Sequence, residues 1–205
     1  MGNDNGPKRQ VPPYLRTILN FDVALTNKFC LLTEKVLPQV SQLHFKYLEY
    51  SCHRVPWFVL WVAFIILWDN ASLYQIQANF LYGLLLDIIV VAVIKAIVRR
   101  RRPQTSDDML LVFGSAKYSF PSGQASRALF IAHFFANVAT DLHFLLDLTL
   151  LAWSVSVCVS RVLLKRHHVL DVIIGALLGV FESYLVSYFW LNQESSLWIL
   201  SVFSS

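Results

Sequence analysis

Long apolar segments constrain this chain more than any other feature. Of its 205 residues, 56% are hydrophobic and 15% are charged, and the charged residues gather at the segment boundaries. We therefore predict an all-α integral membrane bundle with about five spans plus an N-terminal amphipathic helix. The predicted spans are residues 55–68, 80–98, 121–139, 144–164 and 169–191. The first of these is short against the roughly twenty residues that a transmembrane helix needs.

The residues around this membrane domain divide into three regions. Residues 1–13 are polar and end in two prolines, which is typical of a disordered tail. Within residues 14–49, apolar positions recur every three or four residues up to residue 37, which predicts an amphipathic helix. This helix either lies in the membrane interface or packs against the bundle. Residues 50–192 form the membrane domain, and residues 193–205 form a C-terminal tail.

The composition and the cysteines argue against a nucleic-acid-binding protein and against a disulfide-rich or metal-binding one. The formal net charge is +4, but six Trp, fifteen Phe and the apolar runs favour a membrane over a nucleic acid as the partner. Cys30, Cys52 and Cys158 are odd in number and widely spaced. They predict neither a disulfide framework nor a metal site.

Three polar stretches fall at the ends of the predicted spans. They are residues 95–103, 119–124 and 160–171. Five successive crossings place all three on one side of the membrane. The four consecutive arginines at 99–102 favour the cytosolic side for that face.

Each stretch alone has a simple structural interpretation. The cations of residues 95–103 are typical of a membrane anchor, and residues 119–124 are typical of a helix start whose free N–H groups suit an anion. If the last helix begins near His167, Asp171 lies one turn further along the same face and can hold the imidazole. Such a pair beside arginines suits a histidine nucleophile that attacks phosphorus. A membrane anchor with a surface histidine is the alternative.

Taken together, the three stretches resemble the three-part signature of the type 2 phosphatidic acid phosphatase superfamily. In this chain the signature reads Lys95…Arg102-Pro103, Pro121-Ser122-Gly123-Gln124 and Ser160-Arg161…His167…Asp171. Flanking residues, including the run Lys95-Ala96-Ile97-Val98 and the run Lys117-Tyr118-Ser119-Phe120, narrow the resemblance to the polyisoprenoid diphosphate/presqualene diphosphate phosphatase branch. The resemblance covers roughly residues 50–192.

The resemblance implies a metal-independent lipid phosphatase that uses no cofactor. Lys95, Arg102 and Arg161 would bind the phosphoryl oxygens and stabilise charge in the transition state. Ser122 and the N–H of Gly123 would complete this cradle.

It also implies the nucleophile, the substrate and the location. His167 would attack phosphorus to form a phosphohistidine, while Asp171 would fix the tautomer and orientation of the imidazole. The substrates would be farnesyl, geranylgeranyl or presqualene-type diphosphates, in endoplasmic reticulum or nuclear envelope membranes.

Gln124 departs from the family pattern, which has a histidine that protonates the leaving oxygen. Glutamine cannot transfer a proton near neutral pH, and general acid help is typically worth about 10²–10⁴ in rate. Two hypotheses follow. Either the protein is an enzyme that prefers diphosphates, whose leaving group needs less protonation, or it is a weakly active membrane scaffold or lipid-binding protein.

Three ionisable residues lie inside the predicted spans. Asp87 is a functional residue by default at such a position, and structural pairing with Lys95, eight residues further on, is the alternative. Arg127 and Glu182 have no role that the sequence assigns.

Overall fold

The protein is a bundle of α-helices, as a computed structural model shows. The structure describes residues 12–36, 42–68, 70–103, 118–138 and 144–202. The helices are α1 (Pro13–Val36), α2 (Gln42–Ser51), α3 (Arg54–Leu67), α4 (Tyr74–Val98), α5 (Gly123–His133), α6 (Phe144–Leu163), α7 (Val169–Tyr188) and α8 (Gln193–Ser201). A π-helical turn, Phe134–Val138, continues α5. In the described ranges, extended pairing is confined to an isolated bridge between Arg101 and Tyr118.

The predicted all-α membrane bundle is confirmed. Helices α4, α6 and α7 are long and apolar enough to cross a membrane. Residues 43–51 and 54–67 pass the same test together as a fourth crossing that bends by 45°. The described residues therefore hold three or four candidate spans, and the count of about five stays a prediction.

The predicted span 121–139 corresponds to α5, which is shorter and more polar than expected. The helix and its π-helical turn together cover Gly123–Val138, and its buried side chains include Ser126 and Arg127. These polar groups face neighbouring helices, where Ser126 donates to Glu182 and Arg127 pairs with Asp87, so α5 is a central element of the bundle.

Helix α5 packs closely on α7 because two glycines of α7 face its backbone. A Cβ atom at Gly175 would clash with the carbonyl oxygen of Ser122, and one at Gly179 would clash with that of Ser126. The two glycines therefore permit the close approach of α5 to α7. The contact brings the N-terminal ends of both helices together.

A cluster of aromatic side chains fills the other end of the bundle. Phe80, Phe130 and Phe134 are fully buried there, and the ring centroids of Trp61 and Phe80 lie 4.2 Å apart. Phe80 is four turns of α4 away from Lys95, so this core lies far from the charged end.

Helix α1 presents its polar side to the protein and its apolar side outward. Its buried residues are Asp22, Thr26 and Cys30, each four residues apart. The exposed large side chains include Ile18 and Phe21. Of the two placements predicted for this helix, the structure shows packing on the bundle through the polar stripe, and the placement in the membrane interface stays a prediction. The tail predicted at the N-terminus falls mainly outside the described residues, and the predicted C-terminal tail contains α8.

Candidate active site

One cavity collects side chains from several helix ends at the charged end of the bundle. Most of the predicted site residues line it, namely Lys95, Arg102, Gly123, Gln124, Arg161 and His167. The structure adds five charged or polar residues that the motifs did not include, Glu49, His53, Arg54, Arg127 and Arg166. The apolar side chains Ile88, Val91 and Ala92 of α4 form a further wall.

His167 is buried and held in one orientation. Its Nδ1 atom lies 2.8 Å from the carbonyl oxygen of Ser119, so Nδ1 carries the proton and donates it. The Nε2 atom therefore keeps its lone pair. Burial lowers the pKa of His167 well below its usual value of 6.5, and the nearby charges of Lys95 and Arg102 lower it further. The ring is neutral near pH 7, which is the nucleophilic form.

The prediction that Asp171 holds the imidazole of His167 was wrong. Helix α7 begins at Val169 with His168 as its N-cap, so His167 lies outside the helix and the one-turn spacing does not apply. Asp171 Oδ2 accepts from the backbone N–H of His168 at 2.9 Å and lies 3.3 Å from its Nδ1. The separation from Nδ1 of His167 is 4.0 Å, which is too long for a hydrogen bond. The orienting group of His167 is the Ser119 carbonyl.

Asp171 belongs to a buried ion-pair network with α1. Arg100 donates through Nη1 to Asp171 Oδ1 at 2.7 Å and through Nη2 to Asp22 Oδ2 at 2.6 Å. Asp22 Oδ1 also accepts from the backbone N–H of Leu170 at 3.0 Å. The guanidinium thus joins α1 to the first turn of α7, beside His167. The polar stripe of α1 is a sequence signal that could have identified Asp22.

Lys95 in the last turn of α4 and Arg102 beyond the end of that helix converge on one carbonyl. Lys95 Nζ donates to the carbonyl oxygen of Tyr118 at 2.9 Å, and Arg102 Nε donates to the same oxygen at 3.4 Å. Burial lowers the pKa of Arg102, and so does the charge of Arg166. Arg102 remains a cation because its ordinary pKa is so high.

Ser122 and Gly123 lie at the start of α5, as predicted, but they differ in their contacts. Ser122 is fully buried, its N–H donates to the carbonyl oxygen of Asp171 at 2.9 Å, and its hydroxyl caps the helix. It therefore fixes the turn and does not line the cavity, which corrects its predicted place in the cradle. Gly123 does line the cavity.

Arg161 is fully buried, and its donors meet three side chains. Nη1 donates to Gln124 Oε1 at 2.5 Å and to Glu49 Oε1 at 2.8 Å. Nε and Nη2 each lie 3.2 Å from Ser160 Oγ. The amide nitrogen of Gln124 donates to the backbone carbonyl oxygen of Glu49 at 2.9 Å. Gln124, which stands where the family has its proton-donating histidine, is therefore held by hydrogen bonds to Arg161 and to α2.

Asp87 pairs with Arg127 of α5, so the alternative of a structural pairing with Lys95 was wrong. Arg127 Nη2 donates to Asp87 Oδ2, and its Nη1 donates to the carbonyl oxygen of Cys52 at 3.3 Å. Glu182 lies on the neighbouring helix α7, and its Oε2 accepts from Ser126 Oγ at 3.2 Å. These contacts join α4, α5 and α7 next to the cavity.

A match to a protein family shows the class to which the chain belongs. The model of the PAP2 superfamily matches residues 77–195, which is more than half of the chain, and the chain belongs to this superfamily. Membership makes it an enzyme of the phosphatase class, and its setting is a membrane.

The proteins to which the chain is similar include the following two. One is described as a probable lipid phosphate phosphatase beta from Arabidopsis thaliana and is 31% identical over 195 residues, covering 83% of this chain and 89% of the relative. The other is a crystal structure of Aquifex aeolicus LpxE, with a TM-score of 0.54 and 21% identity, covering 76% of this chain and 92% of that one. At that identity, the second likeness concerns the fold.

Arg100→Gln tests the buried network. The change leaves the fully buried carboxylates of Asp22 and Asp171 without their ion pair, and removal of one partner from a buried pair typically costs about 3–5 kcal/mol. We expect a clearly lower melting temperature in detergent. Arg99→Gln removes the same charge from an exposed neighbour and should leave it nearly unchanged. Equal effects of the two changes would contradict this role for Arg100.

Proposed function

We propose that this protein hydrolyses polyisoprenoid diphosphates, such as farnesyl, geranylgeranyl or presqualene-type diphosphates, through a phosphohistidine on His167. The observation that carries the proposal is the arrangement of one cavity. A neutral histidine with an available Nε2 lone pair shares it with Lys95, Arg102 and Arg161, and an apolar wall borders it.

The reaction has two steps at the same phosphorus. His167 Nε2 attacks the terminal phosphorus, the bond to the bridging oxygen breaks, and the prenyl phosphate leaves. Water then attacks the phosphohistidine, which releases inorganic phosphate and restores the imidazole. Lys95, Arg102 and Arg161 stabilise the negative charge that the phosphoryl oxygens carry in both transition states.

The lipid part of the substrate suits the apolar wall that Ile88, Val91 and Ala92 form on α4. Other residues of the same helix, including Leu85 and Ile89, are exposed on its outer surface. A prenyl chain can therefore lie along α4 and extend into the bilayer while its headgroup meets the cations. This geometry supports a lipid phosphate as the substrate.

The surroundings of Gln124 support a diphosphate. Its amide oxygen accepts from Arg161, and its amide nitrogen donates to the backbone of Glu49, so it positions other groups and transfers no proton. A phosphate monoester is a better leaving group than an alkoxide, and its departure needs less protonation. Arg54 and Arg166 also line the cavity and offer charge for a second phosphate.

The proposed location is the cytosolic face of endoplasmic reticulum or nuclear envelope membranes. The site is built at the C-terminal ends of α4 and α6 and the N-terminal ends of α5 and α7, so its parts lie on one side of the bundle. The run of arginines at 99–102 supports the cytosolic side.

Phosphate release from purified protein tests this function. We expect release from prenyl diphosphates to exceed that from prenyl monophosphates and from glycerolipid phosphates. His167→Ala should lower kcat/KM by at least about 10³-fold because the nucleophile is lost. His44→Ala, which changes an exposed histidine of α2, is the matched control and should be nearly neutral. Binding of a prenyl diphosphate without any hydrolysis would instead support the scaffold hypothesis.

The pH dependence of kcat/KM tests the state of His167. Because the pKa of His167 is lowered, the neutral nucleophile persists below pH 6.5. The fall of kcat/KM on the acid side of the pH profile, its acid limb, should therefore lie below that value. Arg102→Gln removes a nearby positive charge, which favours the imidazolium and moves that limb to higher pH. The ionisation of the substrate is common to both enzymes, so the difference between their profiles reports the protein. A limb that stays in place or moves to lower pH would contradict the assignment.

A further inference from the structure

Among the described residues that line the cavity, Glu49 is the only one with an acidic side chain. Its Oε1 atom lies 2.8 Å from Nη1 of Arg161 and 4.0 Å from Nε of Arg166. The Glu49 side chain is 16% exposed, whereas that of Arg161 is fully buried. The guanidinium that is proposed to bind phosphate is therefore already paired with a carboxylate.

The other contacts of Arg161 are with neutral groups. Ser160 Oγ and Gln124 Oε1 accept its remaining described hydrogen bonds. A phosphoryl oxygen that approaches this guanidinium meets one anion, Glu49, and the two negative charges repel each other. Binding of phosphate to Arg161 thus exchanges one anionic partner for another.

The backbone around Glu49 is fixed, so the exchange needs only rotation of its side chain. The carbonyl oxygen of Glu49 accepts from Gln124 Nε2 at 2.9 Å. Cys52 Sγ donates to the carbonyl oxygen of Gln124 at 3.2 Å. These two contacts hold the last turn of α2 on the first turn of α5. A carboxylate on a fixed backbone can leave Arg161 and return to it.

Resting on the proposed function, we propose that Glu49 is a specificity-determining residue that selects diphosphates over phosphate monoesters and inorganic phosphate. A single phosphate group that displaces Glu49 gains little, because it replaces an existing ion pair. A diphosphate carries more negative charge and can also reach Arg54 and Arg166, which lie in the same cavity. The second phosphate offsets the loss of the Glu49–Arg161 pair.

The same contact favours release of the products. Hydrolysis converts one diphosphate into a prenyl monophosphate and inorganic phosphate, and each of these has fewer charges with which to displace a carboxylate. Glu49 then returns to Arg161 as phosphate leaves. Inhibition by the products is weaker for this reason.

Direct binding of two probe anions tests the role of Glu49 without turnover. Calorimetry would measure the Kd of inorganic phosphate and of pyrophosphate for the detergent-solubilised protein and for Glu49→Gln. We expect the variant to bind phosphate about tenfold more tightly than the wild-type protein does. Its gain in affinity for pyrophosphate should be about threefold at most. Glu34→Gln, which changes an exposed acid of α1, should leave both values unchanged.

Unchanged or weaker phosphate binding by Glu49→Gln would overturn the proposal and indicate that the carboxylate only positions Arg161. An equal gain for both anions would overturn it too, because it indicates a general effect of charge.

Kinetics provides the second arm. The ratio of kcat/KM for a prenyl diphosphate to that for the matching monophosphate should fall about tenfold in Glu49→Gln, mainly through a gain on the monophosphate. An unchanged ratio in an active enzyme would overturn the selectivity role. If the wild-type protein hydrolyses neither substrate, the proposed function fails, and the binding comparison still decides whether Glu49 discriminates between the two anions.

Discussion

The close contact of α5 with α7 is the constraint on which the site depends. Gly175 and Gly179 leave no side chain between the two helices, so the backbone of α7 reaches the carbonyls of Ser122 and Ser126. The N–H of Ser122 then bonds to the carbonyl oxygen of Asp171, which joins the first turns of both helices. The residues before each helix, Ser119 and His167, are thereby brought within hydrogen-bond distance.

Charge compensation is the second requirement, because so many cations meet at one end of an apolar bundle. Buried positive charges need partners, and the partners come from different parts of the chain. Asp22 of α1 and Asp171 of α7 share Arg100, while Glu49 of α2 pairs with Arg161. The two N-terminal helices therefore supply carboxylates that the phosphatase motifs lack. This gives α1 and α2 a direct part in building the site.

Much of the site was predictable because its residues lie at helix ends that face one side. Lys95, Arg102, Gly123, Arg161 and His167 all line one cavity, as their positions next to apolar segments suggested. Their catalytic and binding roles stay predictions.

The failed expectations concern contacts that sequence spacing alone cannot determine. The pairing of Asp171 with His167 assumed a helix that already includes residue 167, whereas α7 begins two residues later. Lys95, on the same helix, was the structural partner considered for Asp87, but the ion pair forms with Arg127 of α5. Glu49 belongs to no motif, and the packing of α2 on α6 brings it to Arg161.

A phosphohistidine on His167 is the central chemical claim, and trapping it is the most direct test. Purified enzyme would be mixed with farnesyl diphosphate radiolabelled at its terminal phosphate and quenched in alkali within a single turnover. The account predicts protein-bound label that survives alkali, is lost in acid and maps to the peptide that contains His167. Rapid turnover with no bound label, or label on another residue, would contradict it.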